Sequence, residues 1–245
     1  MLDYIFLGIL QGLFEWIPLS SEGVVALTSQ FLVLKDNPID IALSLHLGTF
    51  LAVVFYFRND WFKILKFKNQ KLTHFLLIST FVSLVIGFPL YQAIKNMVIG
   101  SWLLMLIACG LLLTAYFHNK KIKIGLKLEN LAVPVGFLQG MSVIPGLSRS
   151  GSTIFGLSLG DLKPDEILKI SYLMSAPVVL ASGIYLFINN PVFVLNTWPG
   201  LTSSFLVGTL TLDFLIKWSQ KINFFNFALI FSILCFLGAI LELFA

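Results

Sequence analysis

Two short polar stretches interrupt apolar sequence, and they hold the residue types that could do chemistry. The first covers residues 11–23, QGLFEWIPLSSEG, and the second covers residues 139–151, QGMSVIPGLSRSG. Non-helical backbone at membrane depth is tolerated only where protein or a water-filled cavity satisfies its N–H and C=O groups. Two such interruptions therefore predict one shared polar cavity.

The first stretch carries a carboxylate in apolar surroundings. Gln11 and Glu15 are four residues apart, so they would share one face of a helix, which Pro18 would then end. An ionised carboxylate at membrane depth is costly, and such residues usually face a cavity or a partner and mark a functional path. The alternative is that Glu15 pairs with Arg149 for structural reasons alone.

Both stretches lead into a helix start that is rich in hydroxyl groups. The first start holds Ser20, Ser21, Glu22 and Gly23, and the second holds Ser148, Arg149, Ser150, Gly151, Ser152 and Thr153. Backbone N–H groups at the positive end of a helix suit an anion, and a guanidinium matches phosphate oxygens in a planar, bidentate way. The pattern predicts a phosphate cradle. For the first start, a plain N-cap made by one serine is the alternative.

The elements that must position these residues are membrane helices. Of 245 residues, 58% are hydrophobic and 11% are charged, and the mean hydropathy is +0.92. Soluble domains carry about 25% charged residues. The chain is therefore predicted to be an all-α integral membrane protein. Six apolar runs are near the length that spans hydrocarbon, namely 41–57, 73–91, 100–117, 166–188, 199–215 and 224–244.

An internal repeat relates the two polar stretches. A constant offset of 128 places Gly8 on Gly136, Gln11 on Gln139, Gly12 on Gly140, Ser20 on Ser148 and Gly23 on Gly151. We expect one membrane domain, 1–245, with a first half at 1–118, a basic cytoplasmic connector at 119–130 and a second half at 131–245. Each half would hold a re-entrant helix pair and three spans, and an odd number of crossings would invert the second half.

The basic residues indicate the orientation of the chain. With both polar stretches re-entrant, thirteen basic residues share one face and two, Lys35 and Lys95, lie on the other. The positive-inside rule makes the larger group cytoplasmic, so both termini are predicted to lie outside a plasma membrane. Because the basic residues are spread through short loops, nucleic acid is not an expected partner. The sequence leaves open whether two copies pair as a homodimer.

At these residues the chain resembles the undecaprenyl-diphosphate phosphatase family, the bacitracin-resistance membrane phosphatases. The resemblance covers nearly the whole length. It rests on QGLFE at 11–15, the family's Glu/Gln-x-x-x-Glu element, on PLSS at 18–21 and on PGLSRSG at 145–151, with LHLGTFLAV at 45–53 and LMSAP at 173–177. It implies hydrolysis of a polyprenyl diphosphate to the monophosphate plus phosphate, which recycles a lipid carrier for cell-envelope glycan assembly.

The resemblance also implies roles for single residues. Glu15 and Gln11 would be catalytic or would bind a divalent cation, Mg²⁺ or Ca²⁺. Ser20 or Ser21 would be the hydroxyl nearest phosphorus, unless a water attacks, and Arg149 would clamp the phosphate charge. Gln11 and five residues of the two helix starts are predicted to bind substrate, namely Gln11, Glu22, Ser148, Ser150, Gly151 and Ser152.

One position departs from the family pattern. The family continues Ser-Ser-x-Gly-His, but Val24 follows Gly23 in this chain. A histidine proposed for nucleophilic or acid/base work is therefore absent. Glu22 and His46 are the candidates to replace it, and the sequence places neither of them at the site. A single buried histidine such as His46 could also be purely structural.

A second function is compatible with the same features. Inverted repeats with broken helices that meet at mid-membrane are typical of transporters, and Val24 is what a lost catalytic group would look like. The alternative is therefore a flippase that moves a polyprenyl phosphate without hydrolysis. A small ion channel fits poorly, because the polar groups cluster in two places and do not line a continuous path.

Overall fold

The described part of the chain is helical. The computed structural model describes residues 1–17, 20–32, 34, 36–97, 101–119, 124–219, 229, 232–233, 235–237 and 240. Over these ranges the named elements are α1 (Leu2–Phe14), α2 (Ser21–Phe31), α3 (Pro38–Tyr56), α4 (Arg58–Leu65), α5 (Gln70–Met97), α6 (Ser101–Asn119), α7 (Leu128–Met141), α8 (Arg149–Ser158), α9 (Pro164–Asn189), α10 (Pro191–Asn196) and α11 (Trp198–Ser219). The predicted all-α class is confirmed for the described residues.

The long helices match the predicted spans. Helices α3, α5, α6, α9 and α11 cover the first five apolar runs, and the sixth run, 224–244, lies mostly outside the described residues. By length and composition, three helices within the described ranges could cross a membrane: Pro38–Tyr56, Gln70–Lys95 and Pro164–Asn189. The chain is therefore an α-helical membrane protein.

Two boundaries differ from the sequence prediction. The basic segment 58–72, which joins the first two apolar runs and carries no span of its own, contains α4, with Asp60 in its first turn and Lys63 in its last. These charges suit the helix dipole, and Asp60 also accepts a 2.6 Å ion-pair contact from Lys169 Nζ of α9. Helix α7 begins at Leu128, inside the predicted connector 119–130.

Two short helices, α1 and α7, pack closely on longer helices through glycine. Helices α1 and α7 each pack along a longer helix, α1 on α11 and α7 on α5. A Cβ atom at Gly12 would lie 2.8 Å from the backbone nitrogen of Gly208, and one at Gly140 would lie 2.9 Å from the carbonyl oxygen of Ser83. Any larger residue would force these helices apart, so the glycines set how closely α1 packs on α11 and α7 on α5.

Candidate active site

The first helix pair is broken between Phe14 and Ser21. Helix α1 ends at Phe14, and the backbone N–H of Glu15 still donates to the carbonyl of Gln11 at 3.1 Å. Pro18 cannot continue a helix, and it lies with Leu19 outside the described residues. The chain starts again at Ser20, whose Oγ caps α2 by accepting from the backbone nitrogen of Gly23 at 3.0 Å. Glu15 therefore occupies the break itself.

The second helix pair is broken between Met141 and Arg149. Gly146 adopts a φ of +92°, which favours glycine because other residues rarely enter this region. Ser148 then caps α8, since its Oγ accepts from the backbone nitrogen of Gly151 at 3.0 Å. Arg149 is the first residue of this helix, so its side chain is held at the rim of the break.

Hydrogen bonds join the two breaks. Ser20 Oγ also accepts from the backbone nitrogen of Gly146 at 3.1 Å, and Ser150 Oγ donates to the carbonyl of Ile17 at 2.9 Å. These residues are more than 120 positions apart in the chain. The prediction that the two polar stretches meet is confirmed by these contacts.

Glu15 is the centre of the joined site. Its side chain is buried, and Oε2 accepts from Gln11 Nε2 at 2.7 Å and from Ser21 Oγ at 2.8 Å. Its other oxygen, Oε1, accepts from Arg149 Nη2. The carboxylate and the guanidinium, predicted to face one substrate head group, are thus in direct contact. The guanidinium is also held by the carbonyl of Ser171 on α9, which accepts from Nη1 at 3.2 Å.

His46 of α3 reaches the same carboxylate. Its Nε2 lies 3.2 Å from Glu15 Oε2, and its Nδ1 lies 2.7 Å from the carbonyl oxygen of Ala42. The sequence left the position of His46 open because no spacing relates α3 to α1. The structure places it in the site, together with Glu22, which lines the same cavities and whose buried Oε1 has no hydrogen-bond partner among the described residues.

Several predicted site residues make hydrogen bonds that stabilise the two breaks. The hydroxyl of Ser20 caps α2 and bonds to Gly146, so its described contacts are structural. Ser148 and Gly151 share the cap of α8, and Ser152 is fully buried. Neither polar cavity has Ser148, Gly151 or Ser152 in its wall. Their predicted contact with substrate stays a prediction.

Three cavities that share wall residues lie beside this centre. The smallest, about 20 Å³, has Glu15, Ser21 and Arg149 in its wall. A second, of about 100 Å³, shares Glu22, His46, Ser142 and Arg149 with the first. One water needs a cavity volume of about 10–15 Å³, so of these two cavities the first has room for a water and the second for a larger group.

The third cavity is apolar and much larger. It measures about 510 Å³, lies between α5 and α9, and shares Leu43, Gln139, Val143, Val178 and Ser182 with the second cavity. Phe81 and Phe88 in its wall are 69% and 48% exposed, so the cavity opens toward the lipid-facing side of the helices. Sequence reasoning missed Ser142, although it lies inside the second polar stretch, and Ser175 of α9, although it lies in the segment LMSAP at 173–177.

The described contacts of Glu15 are with hydrogen-bond donors. Both carboxylate oxygens already accept from N–H or O–H donors, and Gln11 turns its amide nitrogen toward Glu15. No group of three or more His, Cys, Asp or Glu residues is arranged to hold a metal within the described ranges. The divalent cation at Glu15 and Gln11 stays a prediction.

Fold and site together define a class. The chain is an α-helical membrane protein in which a buried carboxylate, a hydroxyl and a guanidinium converge beside an apolar cavity, as an enzyme or carrier of a lipid-borne anion requires. Its family follows from comparison with known proteins. The family model described as bacitracin resistance protein BacA matches residues 4–239. This chain belongs to that family.

Similar proteins come from archaea and bacteria. An undecaprenyl-diphosphatase of Methanothrix thermoacetophila is 32% identical over 238 residues, which is 91% of each chain. One from Haloarcula marismortui is 31% identical and covers 97% of this chain and 96% of its own. One from Caldicellulosiruptor bescii is 34% identical over 91% of each chain.

Proposed function

We propose that this protein hydrolyses a polyprenyl diphosphate of the undecaprenyl type to the monophosphate and inorganic phosphate. The observation that carries this proposal is the contact of Glu15 with Ser21 and Arg149, which brings a base, a hydroxyl and a phosphate clamp from two distant breaks into one site. Membership of the BacA family and the name of its relatives support hydrolysis over a flippase.

The chemistry assigns a role to each contact. Ser21 Oγ, or a water in the small cavity, loses its proton to Glu15 and attacks the terminal phosphorus in line. The bond from that phosphorus to the bridging oxygen breaks, and the electron pair leaves with the prenyl monophosphate. If water attacks, inorganic phosphate is the second product directly. If Ser21 attacks, a phosphoserine forms, and a water must then hydrolyse it to release phosphate and restore the hydroxyl. Arg149 stabilises the charge that develops on the phosphate oxygens. Positioning and charge stabilisation supply most of the acceleration.

The prenyl tail occupies the apolar cavity between α5 and α9. This assignment is supported by Val178 and Ser182, which line both that cavity and the one beside Arg149, so that the two cavities are adjacent. Within the membrane, we infer six spans and an inverted arrangement of the two halves with both termini outside the plasma membrane. The equivalent packing of α1 on α11 and of α7 on α5 supports the inverted arrangement. There the enzyme would recycle the lipid carrier.

The direct test is phosphate release in detergent, where no second leaflet exists. Purified protein should release phosphate from farnesyl and longer prenyl diphosphates. Glu15→Ala and Arg149→Ala should lower the rate by at least about 1,000-fold, since each removes a group that stabilises the transition state. Near wild-type release by both variants would overturn the mechanism. Lipid translocation in vesicles without any phosphate release would instead establish the flippase.

A substitution in the apolar cavity tests the assignment of the tail. Ala181 lines this cavity and not the polar one, so Ala181→Phe should raise KM for long prenyl diphosphates at least about fivefold more than for farnesyl diphosphate. Leu180→Phe is the matched control, because Leu180 is 42% exposed on the same helix and is absent from the cavity wall. Equal effects of the two substitutions would place the tail elsewhere.

Dependence on a divalent cation stays a prediction from the family resemblance. A chelator should stop phosphate release if the cation is needed. Because Gln11 offers its amide nitrogen to Glu15, Gln11→Ala should leave the half-saturating Mg²⁺ concentration unchanged. An increase of tenfold or more would show that Gln11 is a ligand after all.

A further inference from the structure

We propose that Tyr91 of α5 and Tyr185 of α9 form the end wall of the apolar cavity and bind the third isoprene unit of the prenyl tail. The end wall would then determine where a longer tail leaves the cavity toward lipid. This assignment rests on the proposed function for the nature of the ligand, a prenyl tail on a phosphate head group, and binding alone can test it.

The two tyrosines lie at the end of the apolar cavity that is far from Arg149. Both line this cavity, and neither lines the second cavity, which has Arg149 in its wall. Ser175 of α9 also lines the second cavity. Tyr185 comes ten residues after Ser175 on the same helix, which corresponds to about 15 Å along the helix axis.

Helices α3 and α5 give the same order. His46 of α3 lines the second cavity, and Asp40, which accepts from Tyr91, comes six residues before it, about 9 Å along the axis. Ser83 of α5 accepts from Gln139 Nε2 at 3.1 Å, and Tyr91 comes eight residues later, about 12 Å along the axis. Three helices therefore place the two tyrosines at one end of the bundle, away from the phosphate site.

The rings of the end wall are packed against one another. The ring of Tyr185 meets the ring of Phe88 at a centroid distance of 5.2 Å and the ring of Tyr91 at 6.0 Å, edge to face in both cases. Tyr91 is buried, and edge-to-face pairs at such distances are favourable beyond the area that they bury. A tail that runs along α9 from the phosphate site therefore meets a well-packed aromatic surface.

The hydroxyl groups of both tyrosines are bonded to residues outside the cavity wall. Tyr91 Oη donates to Asp40 Oδ1 at 2.6 Å and accepts from Lys95 Nζ at 3.1 Å, and Lys95 Nζ also lies 2.7 Å from Asp40 Oδ2. Tyr185 Oη accepts from Gln92 Nε2 at 2.5 Å. Asp40, Lys95 and Gln92 are not in the cavity wall. The end wall therefore offers ring carbon to a tail.

The distance to the end wall matches three isoprene units. An extended chain advances about 1.2 Å per bond, so farnesyl, with about twelve bonds from its oxygen to its end, reaches about 14 Å, and geranyl, with about eight, reaches about 10 Å. With phosphate at the level of Ser175, the last unit of farnesyl contacts Tyr185 and the end of geranyl does not. A longer tail must turn. Phe81, Val85 and Phe88 are exposed along one side of the cavity, so the tail turns toward lipid there.

Binding of prenyl monophosphates in detergent tests the end wall without turnover. Tyr185→Ala should raise the Kd of farnesyl and geranylgeranyl phosphate at least about fivefold, because an apolar contact is lost, and that of geranyl phosphate less than about twofold. Comparing variant and wild type for the same ligand cancels its partition into detergent. Tyr185→Phe keeps the ring and should recover most of the lost affinity. Phe187→Ala is the matched control, since Phe187 is exposed on the same helix and is not in the cavity wall.

Two outcomes of this experiment would overturn the end wall. One is an equal change of Kd for all three ligands in a folded Tyr185→Ala protein, and the other is an unchanged Kd for farnesyl phosphate. If wild-type protein shows the expected pattern of binding but releases no phosphate from diphosphates, the proposed function fails and the end wall stands. If wild-type protein does not bind farnesyl phosphate, both fail.

A labelling experiment on the wild-type protein is independent of how the variants fold. Farnesyl phosphate that carries a diazirine on its last isoprene unit should label peptides that contain Tyr91 or Tyr185. The corresponding geranyl analogue should label these peptides much less, because its end stops short of them. Equal labelling by the two analogues, or farnesyl labelling only at other peptides, would overturn the end wall.

Discussion

The two broken helix pairs have the same framework and carry different chemistry. In each pair a serine caps the second helix by accepting from a glycine nitrogen at 3.0 Å, Ser20 from Gly23 and Ser148 from Gly151. Yet at the offset of 128 the counterpart of Glu15 is Val143, and the counterpart of Arg149 is Ser21. The capping serine and its glycine partner occur in both broken pairs, whereas the carboxylate occurs only in the first and the guanidinium only in the second.

Because the carboxylate and the guanidinium come from different breaks, the site forms only where the two breaks are in contact. Glu15 belongs to the first break and Arg149 to the second, and each is nearly buried, with side chains 4% and 16% exposed. A buried charge without its partner is costly, by about 3–5 kcal/mol when one member of a pair is removed. Each break therefore stabilises the charge of the other.

The largest expected effect comes from neutralising this pair. Glu15→Gln and Arg149→Gln should each lower kcat by at least about 1,000-fold. Glu15→Gln should be the more destabilising, since it leaves both Arg149 and His46 without their carboxylate, whereas Arg149→Gln leaves Glu15 with His46. The double variant should regain stability relative to Glu15→Gln but no activity. Denaturation in detergent and phosphate release measure the two properties separately.

The adjacent serines of the first break should differ next. Ser21 Oγ donates to Glu15, whereas Ser20 Oγ accepts from two backbone nitrogens. Ser21→Ala should lower kcat about 10-fold if water attacks and about 1,000-fold or more if the serine attacks. Ser20→Ala should affect kcat less than either value in the protein that remains folded. A larger loss of kcat at Ser20 would reverse the assignment of the two hydroxyls.

The two repeat-related glutamines should then separate activity from stability. Gln11 Nε2 donates to Glu15, and Gln139 Nε2 donates to Ser83 Oγ and the carbonyl of Met174, at 3.1 Å and 3.3 Å. We expect Gln11→Ala to lower kcat about tenfold and Gln139→Ala to act mainly by lowering the free energy of unfolding by about 1–3 kcal/mol. Equal kcat values for the two variants would contradict this division.

The smallest effect concerns the two capping serines. Loss of an N-cap costs about 1 kcal/mol, so Ser148→Ala should lower the free energy of unfolding by that amount. Ser20→Ala should cost more, because its hydroxyl also accepts from Gly146 of the other break at 3.1 Å. Thermal unfolding of both variants in the same detergent measures the difference. A smaller cost for Ser20→Ala would mean that this link between the breaks is not stabilising.

Much of this fold could be predicted from local sequence. Apolar length located the five long helices, and the Pro, Gly and Ser residues of the two stretches located both breaks. Helix α4 was missed because its charged residues, such as Arg58 and Asp60, are typical of loops when their partners are unknown. Asp60 is held by Lys169, which is 109 residues away, and no local pattern reveals such a contact.

Sequence predicted which residues form the site better than it predicted how these residues lie relative to one another. The spacing of Gln11 and Glu15 predicts a shared face, and their hydrogen bond at 2.7 Å agrees with it. His46 could not be placed, because its contact with Glu15 depends on how α3 packs beside α1. Nor does sequence distinguish Ser20 from Ser21, since both follow Pro18, and only the direction of each hydroxyl separates a cap from a reacting group.

The packing of α1 on α11 has a consequence for biosynthesis. Helix α1 ends at Phe14, and α11, on which it packs, begins at Trp198. A ribosome that adds about 5–20 residues per second therefore completes α11 about 10–40 s after α1. Until then α1 lacks the helix against which it packs. We therefore expect nascent chains that stall before α11 to be less stable in the membrane than the complete protein.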